Sequence, residues 1–215
     1  MTNPFDVLRA HARERPDEVA VSTPYRNATY RKMWSRIERS TARLQAEWAV
    51  RPGDTIVYLG SGHLDALVMY FAAARCGARV LPLEHPELQQ AAPVILREAG
   101  AALVLHDDTM PVSQQTLGAP CRPLSSLIAT ACRHRESILE DTAAISLLES
   151  AGSDGGQGTR QRSLDVLCAV ALACPAGHHV VAGPLFDPAV FGPVVLAAML
   201  SGERLVLTAG AADKT

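Results

Sequence analysis

The chain has 215 residues, 48% of them hydrophobic and 20% charged, with 20 basic against 22 acidic side chains and a formal net charge of -2. That composition is globular and large enough to bury a core, and it offers no basic excess that points to nucleic acid or an anionic membrane as a partner. Five cysteines, an odd number without a CxxC pair, exclude a zinc pattern and fit a reducing cytoplasm.

Residues 1–15 are polar and include Asp6 and Glu14, unlike a signal or transit peptide. The spacing predicts an amphipathic helix over 5–14, stopped by Arg15-Pro16, and a short strand over 18–22. A longer helix is predicted over 30–48, with Met33, Trp34, Ile37, Leu44 and Trp48 roughly on one face. After the turn Arg51-Pro52-Gly53-Asp54 comes a strand over 55–59. The apolar run 64–74 falls short of the roughly 20 residues that span a bilayer and reads as a buried helix. Asp65 lies in its first turn, Arg75 in its last, and Gly77 caps it. Gly60-Ser61-Gly62 reads as the turn and cap before this helix.

A strand over 79–83, a helix over 91–99 ending at Gly100 and a strand over 102–105 continue the rhythm of a mostly parallel sheet with helices on its faces. His106-Asp107-Asp108 then reads as ordinary polar loop. Residues 107–141 break the pattern, with Pro111, Gly118, Pro120 and Pro123, and read as a connector with one helix over 124–133. A strand over 143–148 runs into a glycine-rich turn, followed by a helix from 163 to 173. A strand over 179–182, a helix over 188–200 and a last strand over 204–208 complete the chain. The expected organisation is a first α/β lobe over 1–110, a connector over 111–140 and a second, incomplete lobe over 141–215. His178 and His179 are sequence neighbours before a strand and face opposite ways, so they cannot chelate a metal together. Cys168 and Cys174 read as core, and Trp34 and Trp48 as packing anchors.

The stretch 144–160, AISLLESAGSDGGQGTR, is the chemically pointed one. A glycine-rich turn between strand and helix is where backbone N–H groups can wrap a phosphate. This one has no lysine and carries Glu149 and Asp154, whose charges repel a polyphosphate. It matches neither the Walker pattern nor the dinucleotide fingerprint.

The order of the pieces resembles the adenylate-forming superfamily of acyl-CoA synthetases, peptide-synthetase adenylation domains and luciferases. Residues 15–21 (RPDEVAV) look like its opening strand, 29–33 (TYRKM) like its "TYxEL" helix start, and 51–54 (RPGD) like its "xPGD" turn. Residues 76–83 (CGARVLPL) are similar to "AGAxxVPL". The resemblance implies the two-lobed α/β fold of the N-terminal domain of those enzymes. It covers nearly the whole chain but only the N-terminal part of a full-length enzyme.

The family's phosphate loop, approximately YTSGTTGxPKG, aligns with 149–159. Ser150, Gly152, Ser153, Gly155 and Gly156 keep part of it, and Arg160 or Arg162 is placed to restore a positive charge. Asp154 stands where the second hydroxyl belongs and Gly158 where the lysine belongs. The resemblance thus implies a vestigial phosphate loop, with no catalytic residue and no metal site. No cofactor is expected, although ATP with Mg would bind if the loop were still competent. Asp187, in Gly183-Pro184-Leu185-Phe186-Asp187, has two readings. It is the N-cap of the helix beginning at Pro188, or it corresponds to the carboxylate that pairs with a substrate amino group in amino-acid-activating relatives.

The adenine-binding, ribose-binding and C-terminal catalytic segments of the family have no counterpart in the sequence. The expectation is therefore a truncated, catalytically inactive homologue acting as a binding or assembly protein in the cytoplasm. The alternative is one chain of a split ligase that needs a separate C-terminal half. Ending near Thr208 is expected to leave a sheet edge that a second copy or a protein partner covers, with neither nucleic acid nor membrane involved.

Overall fold

The computed structural model describes residues 3–84, 89–110, 112, 117–129, 146–149, 160–174 and 179–208. Helix α1 (Pro4–Glu14) starts where the Asn3 side chain accepts the Phe5 N–H at 2.9 Å, with proline in the first turn, and it buries Phe5 and Leu8. Strands β1 (Val19–Ser22) and β2 (Asn27–Thr29) follow as an antiparallel pair. Thr29 then caps α2 (Tyr30–Ala42), its hydroxyl accepting the Lys32 N–H. The helix expected to continue to residue 48 instead widens into a π-helical turn, Arg43–Glu47. It widens where Arg43 turns inward, its Nη1 donating at 2.8–2.9 Å to the carbonyls of Ser126, Leu127 and Ala129.

Strand β3 (Thr55–Leu59), helix α3 (Leu64–Arg75), β4 (Arg79–Leu83), α4 (Ala92–Ala99) and β5 (Ala101–His106) lie within a residue of their predicted places. Gly77 and Gly100 end the two helices with φ of +68° and +60°, a region open to glycine. A short β6 (Cys121–Pro123) leads into α5 (Leu124–Ile128). Next come β7 (Ser146–Glu149), β8 (Arg160–Ser163) and α6 (Leu164–Leu172), then β9 (His179–Val181). The last helix, expected over 188–200, is one run in three parts: α7 (Pro188–Val190), a π-helical stretch Phe191–Leu196, and α8 (Ala197–Ser201). Pro193 sits inside the widened stretch, where its missing N–H cannot close an ordinary helical bond. Strand β10 is Leu205–Leu207.

Two sheets result. One runs β2-β1-β10-β9; the other runs β6-β5-β3-β4-β7-β8, parallel except for the β7–β8 pair. Neither follows the expected division at 110 and 140. The first joins strands from residues 19–29 to strands from 179–207, and the second joins β3–β6 to β7 and β8. The cause is parallel pairing: β1 and β10 are neighbours in space and far apart in sequence, and a sheet edge is completed by whichever strand fits its register.

Along β3, alternate residues serve opposite faces. Ile56 and Tyr58 join α3 in the larger core, while Val57 and Leu59 join Ala92 and Leu96 of α4 in a second one. Helix α3 is buried over Ala66–Ala74, which explains its nearly all-apolar sequence. Around it, Tyr70, Phe71, Phe186 and Phe191 form an aromatic cluster inside the larger core. Among the described residues, no helix is long and apolar enough to cross a membrane.

Candidate functional site

Open parallel sheets place ligands outside the carboxyl ends of their strands. In the six-stranded sheet, β3, β4, β5 and β7 all end on that side, bringing Gly60-Ser61-Gly62-His63, Glu84, Asp107 and Glu149 to one rim.

Asp107 is the hub. Its Oδ1 accepts from the Tyr58 hydroxyl at 2.6 Å and from His63 Nε2 at 2.9 Å. Its Oδ2 accepts from the Ser61 N–H at 2.8 Å and the Ser61 hydroxyl at 3.2 Å. His63 Nδ1 accepts the Asp65 N–H, so the proton of a neutral ring sits on Nε2, facing Asp107. His63 is thereby the N-cap of α3, the place expected of the Gly60–Gly62 turn. Burial pushes the Asp107 carboxyl up, but the bonds from His63, Tyr58 and the Ser61 amide outweigh it and hold the group below the usual carboxylate range. Burial first, then the neighbouring Asp107, pushes the Tyr58 phenol far up, so it acts as a donor and not as an anion.

Ser, His and Asp here do not form a nucleophilic relay. The serine hydroxyl bonds the carboxylate rather than the imidazole, and both ring nitrogens are already engaged. The arrangement fixes a turn.

Glu84, one residue beyond β4, reaches across to the segment after β9. Its Oε1 accepts the Leu185 N–H at 3.0 Å and its Oε2 the Phe186 N–H at 2.8 Å. Burial raises this carboxyl to about 7 despite those amides and that of Gly62, which favour the charged form; nearby Asp107 raises it further. Gln89 ties the same corner through Nε2, donating to the carbonyl of Leu83 at 3.0 Å.

Gly62 is where three chain segments meet. A Cβ there would lie 2.1 Å from Leu185 Cβ and 2.3 Å from Glu84 Oε1. Gly62→Ala is expected to lower stability by about 1–3 kcal/mol, because the Leu185 backbone cannot give way. Urea denaturation measures it; an unchanged midpoint would mean the close approach does not exist.

Ser150, Gly152, Ser153, Gly155 and Gly156 lie outside the described residues, and so does the 130–133 end of the helix expected over 124–133. Their flanks are described. Glu149 ends β7 and Arg160 begins β8, and the two are register partners across the antiparallel pair. Arg160 is thus a strand residue, not part of a helix approach, because 160–163 extends the sheet before α6 begins. Asp187 caps α7: its Oδ1 accepts the Ala189 N–H at 2.8 Å, with Pro188 in the first turn. No group of three or more potential metal ligands occurs among the described residues.

Sequence reasoning passed over Tyr58, Ser61, His63, Glu84 and Asp107 as a group. Asp107 was read as loop polarity. The available signal was a run of polar residues directly after three consecutive parallel strands, at the end where such sheets hold their sites.

The chain belongs to the AMP-binding enzyme family, whose pattern matches residues 8–187. It is 29% identical over 213 residues to a feruloyl-CoA synthase from an Amycolatopsis species, covering 91% of this chain and 42% of that protein. It is 37% identical over 99 residues to phosphinothricin tripeptide synthetase PhsC of Streptomyces viridochromogenes, which is 46% of this chain and 9% of that one. Its fold matches the Klebsiella oxytoca NpsA N-terminal subdomain in complex with 3-hydroxybenzoyl-AMSN, with a TM-score of 0.77 at 20% identity over 96% of this chain and 54% of that one. It also matches unliganded o-succinylbenzoate-CoA synthetase MenE of Bacillus subtilis, with a TM-score of 0.75 at 17% identity over 94% of this chain and 43% of that one. The chain therefore has the fold of the N-terminal domain of adenylate-forming enzymes and spans about half the length of the relatives it matches along most of its own.

Proposed function

We propose that this chain is a non-catalytic member of the family, acting as a binding or assembly protein and not as an ATP-consuming ligase. One observation carries the reading: in the phosphate-loop stretch 149–159, Asp154 replaces a hydroxyl, Gly158 replaces the lysine, and Glu149 adds a second negative charge. A carboxylate at contact distance from a phosphate opposes binding by on the order of a few kcal/mol in a semi-enclosed site, and the lost lysine removes the charge that would offset it. On this reading Ser150, Gly152, Ser153, Gly155, Gly156 and Arg160 are remnants that need no ATP or magnesium. The protein works in the cytoplasm as a homo-oligomer or with a protein partner. Light scattering at micromolar concentration tests the association, and a clean monomer without any co-purifying chain would count against it.

A second reading is favoured by one observation of its own. The NpsA subdomain, of the same fold, was captured with 3-hydroxybenzoyl-AMSN, and Arg160 and Arg162 of β8 put two cations in the sequence next to the loop. This chain would then be the N-terminal part of an AMP-forming ligase completed by a separate C-terminal half, with Asp187 available to a substrate amino group.

Calorimetric titration with Mg-ATP and with an acyl-adenylate mimic, together with ATP–pyrophosphate exchange, separates the two. The first reading expects no heat and no exchange from the folded chain. Micromolar binding that Arg160→Ala weakens at least tenfold would replace it with the second.

A further inference from the structure

The two rim carboxylates are held by different kinds of donor. Asp107 takes hydroxyl, imidazole and amide groups from its own corner. Among the described residues, the Glu84 side chain takes main-chain N–H groups alone: Leu185 on Oε1 at 3.0 Å, Phe186 on Oε2 at 2.8 Å, and that of Gly62. Donors face both oxygens and leave no acceptor for a carboxyl proton, so the arrangement suits the anion.

The framework around those three amides is built by other contacts. Leu185 and Phe186 are buried at 0% and 3% exposure. The Phe186 ring packs 6.1 Å from Tyr58, 5.7 Å from Tyr70 and 5.4 Å from Phe191. The Asp187 N–H donates to the Pro184 carbonyl at 3.4 Å, closing the turn that carries the Leu185 and Phe186 amides, and Asp187 then caps α7. On the other wall, the Tyr58 hydroxyl donates to the Ser61 carbonyl at 2.8 Å and Asp107 accepts the Ser61 N–H, which fixes the chain just before Gly62. Convergent main-chain amides held in place by packing make an anion-binding concavity.

We propose that the 184–186 turn and Gly62 form a preformed receptor for a small carboxylate, which Glu84 fills as a tethered ligand rather than builds. The receptor lies at the carboxyl ends of β3 and β4, on the side where open parallel sheets take ligands. It is separate from the 149–159 stretch and stands whether or not that stretch binds nucleotide.

The ligand class follows from the fragment that fills it. Cutting Glu84 back to alanine removes a methylene and a carboxylate, which together have the size and charge of acetate. A branched acid such as pivalate meets walls already in contact, since a Cβ on Gly62 would lie 2.1 Å from Leu185 Cβ. A doubly charged anion such as sulfate is repelled by Asp107, whose charge already opposes that of Glu84. The receptor therefore selects a slim monocarboxylate.

Thermal unfolding of the full chain at about pH 8, where carboxylates are ionised, tests this. In Glu84→Ala, about 0.1 M sodium acetate is expected to raise Tm by about 3–6 °C over the same concentration of sodium chloride. That is the saturable shift given by a Kd of about 10 mM, through a roughly tenfold stabilisation of the folded form. Pivalate and sulfate should give less than about a third of it, and wild type, already filled, should not distinguish acetate from pivalate. A flat response of Glu84→Ala to acetate, an equal rise in wild type, or a rise with pivalate as large as with acetate would overturn the proposal. Should Glu84→Ala fail to fold, hydrogen exchange on Glu84→Gln decides, because the side-chain NH2 cannot accept. One of the Leu185 and Phe186 amides should then exchange at least about tenfold faster, while the Asp187 and Ala189 amides keep their protection. Leu185 and Phe186 amides both as protected as in wild type would show that no anion is needed there, and loss of protection at Asp187 and Ala189 would show that Glu84 builds the turn; either result ends the proposal.

Discussion

Asp107→Ala is expected to destabilise the protein by about 3 kcal/mol, lowering Tm by about 6–12 °C for a chain of this size. The deletion takes one acceptor from four donor contacts. Ser61 and His63 are partly open to solvent and recover water, but the Tyr58 hydroxyl is buried with its ring at 0% exposure. Its remaining acceptor is the Ser61 carbonyl at 2.8 Å, which holds only while the turn keeps its shape. Asp107→Asn keeps the shape and loses the charge, so its cost should be smaller.

The pair also carries a pH signature. The native carboxyl is held below its ordinary value, so its contribution is present in full above about pH 4 and fades as pH falls through the depressed native value. The stability gap between wild type and Asp107→Asn should therefore narrow in acid and be constant above about pH 5. A gap that widens in acid would mean the bonds from Tyr58 and His63 do not hold the charged form. Chemical denaturation across pH 2.5–7 reads both outcomes.

How far the sequence foretold this structure depends on the type of signal. α3 was legible because nine consecutive buried residues, Ala66–Ala74, allow almost nothing but apolar side chains, and because Asp65, Arg75 and Gly77 mark its ends. Strands β3, β4 and β5 were legible for the same reason: a strand covered on both faces is written as an unbroken apolar run. β8 was not. Arg160-Gln161-Arg162-Ser163 has no apolar residue to alternate, and its pairing with β7 is a tertiary fact. β2 and β6 are three residues each, below the length at which a period can be counted.

The two π-helical turns follow from Arg43 reaching for α5 and from Pro193 within its own helix. The sequence contained the second cause but gave no measure of whether the helix would widen or stop there. The rim cluster was the least legible part. Tyr58, Ser61, His63, Glu84 and Asp107 come from three strand ends up to 49 positions apart, and only the strand order in space shows that they share one corner. Asp187 was legible as a cap from Asp-Pro alone, because capping is a local rule.

Phe191→Ala is expected to be the most damaging core substitution, costing about 3–5 kcal/mol. Phe191 lies in the widened stretch of the last helix, 4.5 Å from the Tyr70 ring centroid in an edge-on contact and 5.4 Å from Phe186. Tyr70 belongs to α3, and Phe186 to the segment Glu84 holds, so the three rings tie the central helix, the last helix and the segment after β9 to one another. Emptying that position removes a fully buried side chain and the ring–ring contacts that fix Phe186, and the surrounding helices cannot collapse without moving the sheets.

Tyr70→Phe is the control that separates ring packing from polarity. The Tyr70 hydroxyl is buried with no hydrogen-bond partner among the described residues, so deleting it should be neutral or stabilise by about 1 kcal/mol. If Phe191→Ala costs less than 1 kcal/mol by urea denaturation, or Tyr70→Phe costs as much as Phe191→Ala, ring packing is not what ties α3 to the last helix. If Phe191→Ala lowers the midpoint with a single transition at both near-ultraviolet and far-ultraviolet wavelengths, the two sheets unfold as one unit. That outcome follows from a chain whose four-stranded sheet is closed by strands from both of its ends, with the six-stranded sheet built from the segment between them.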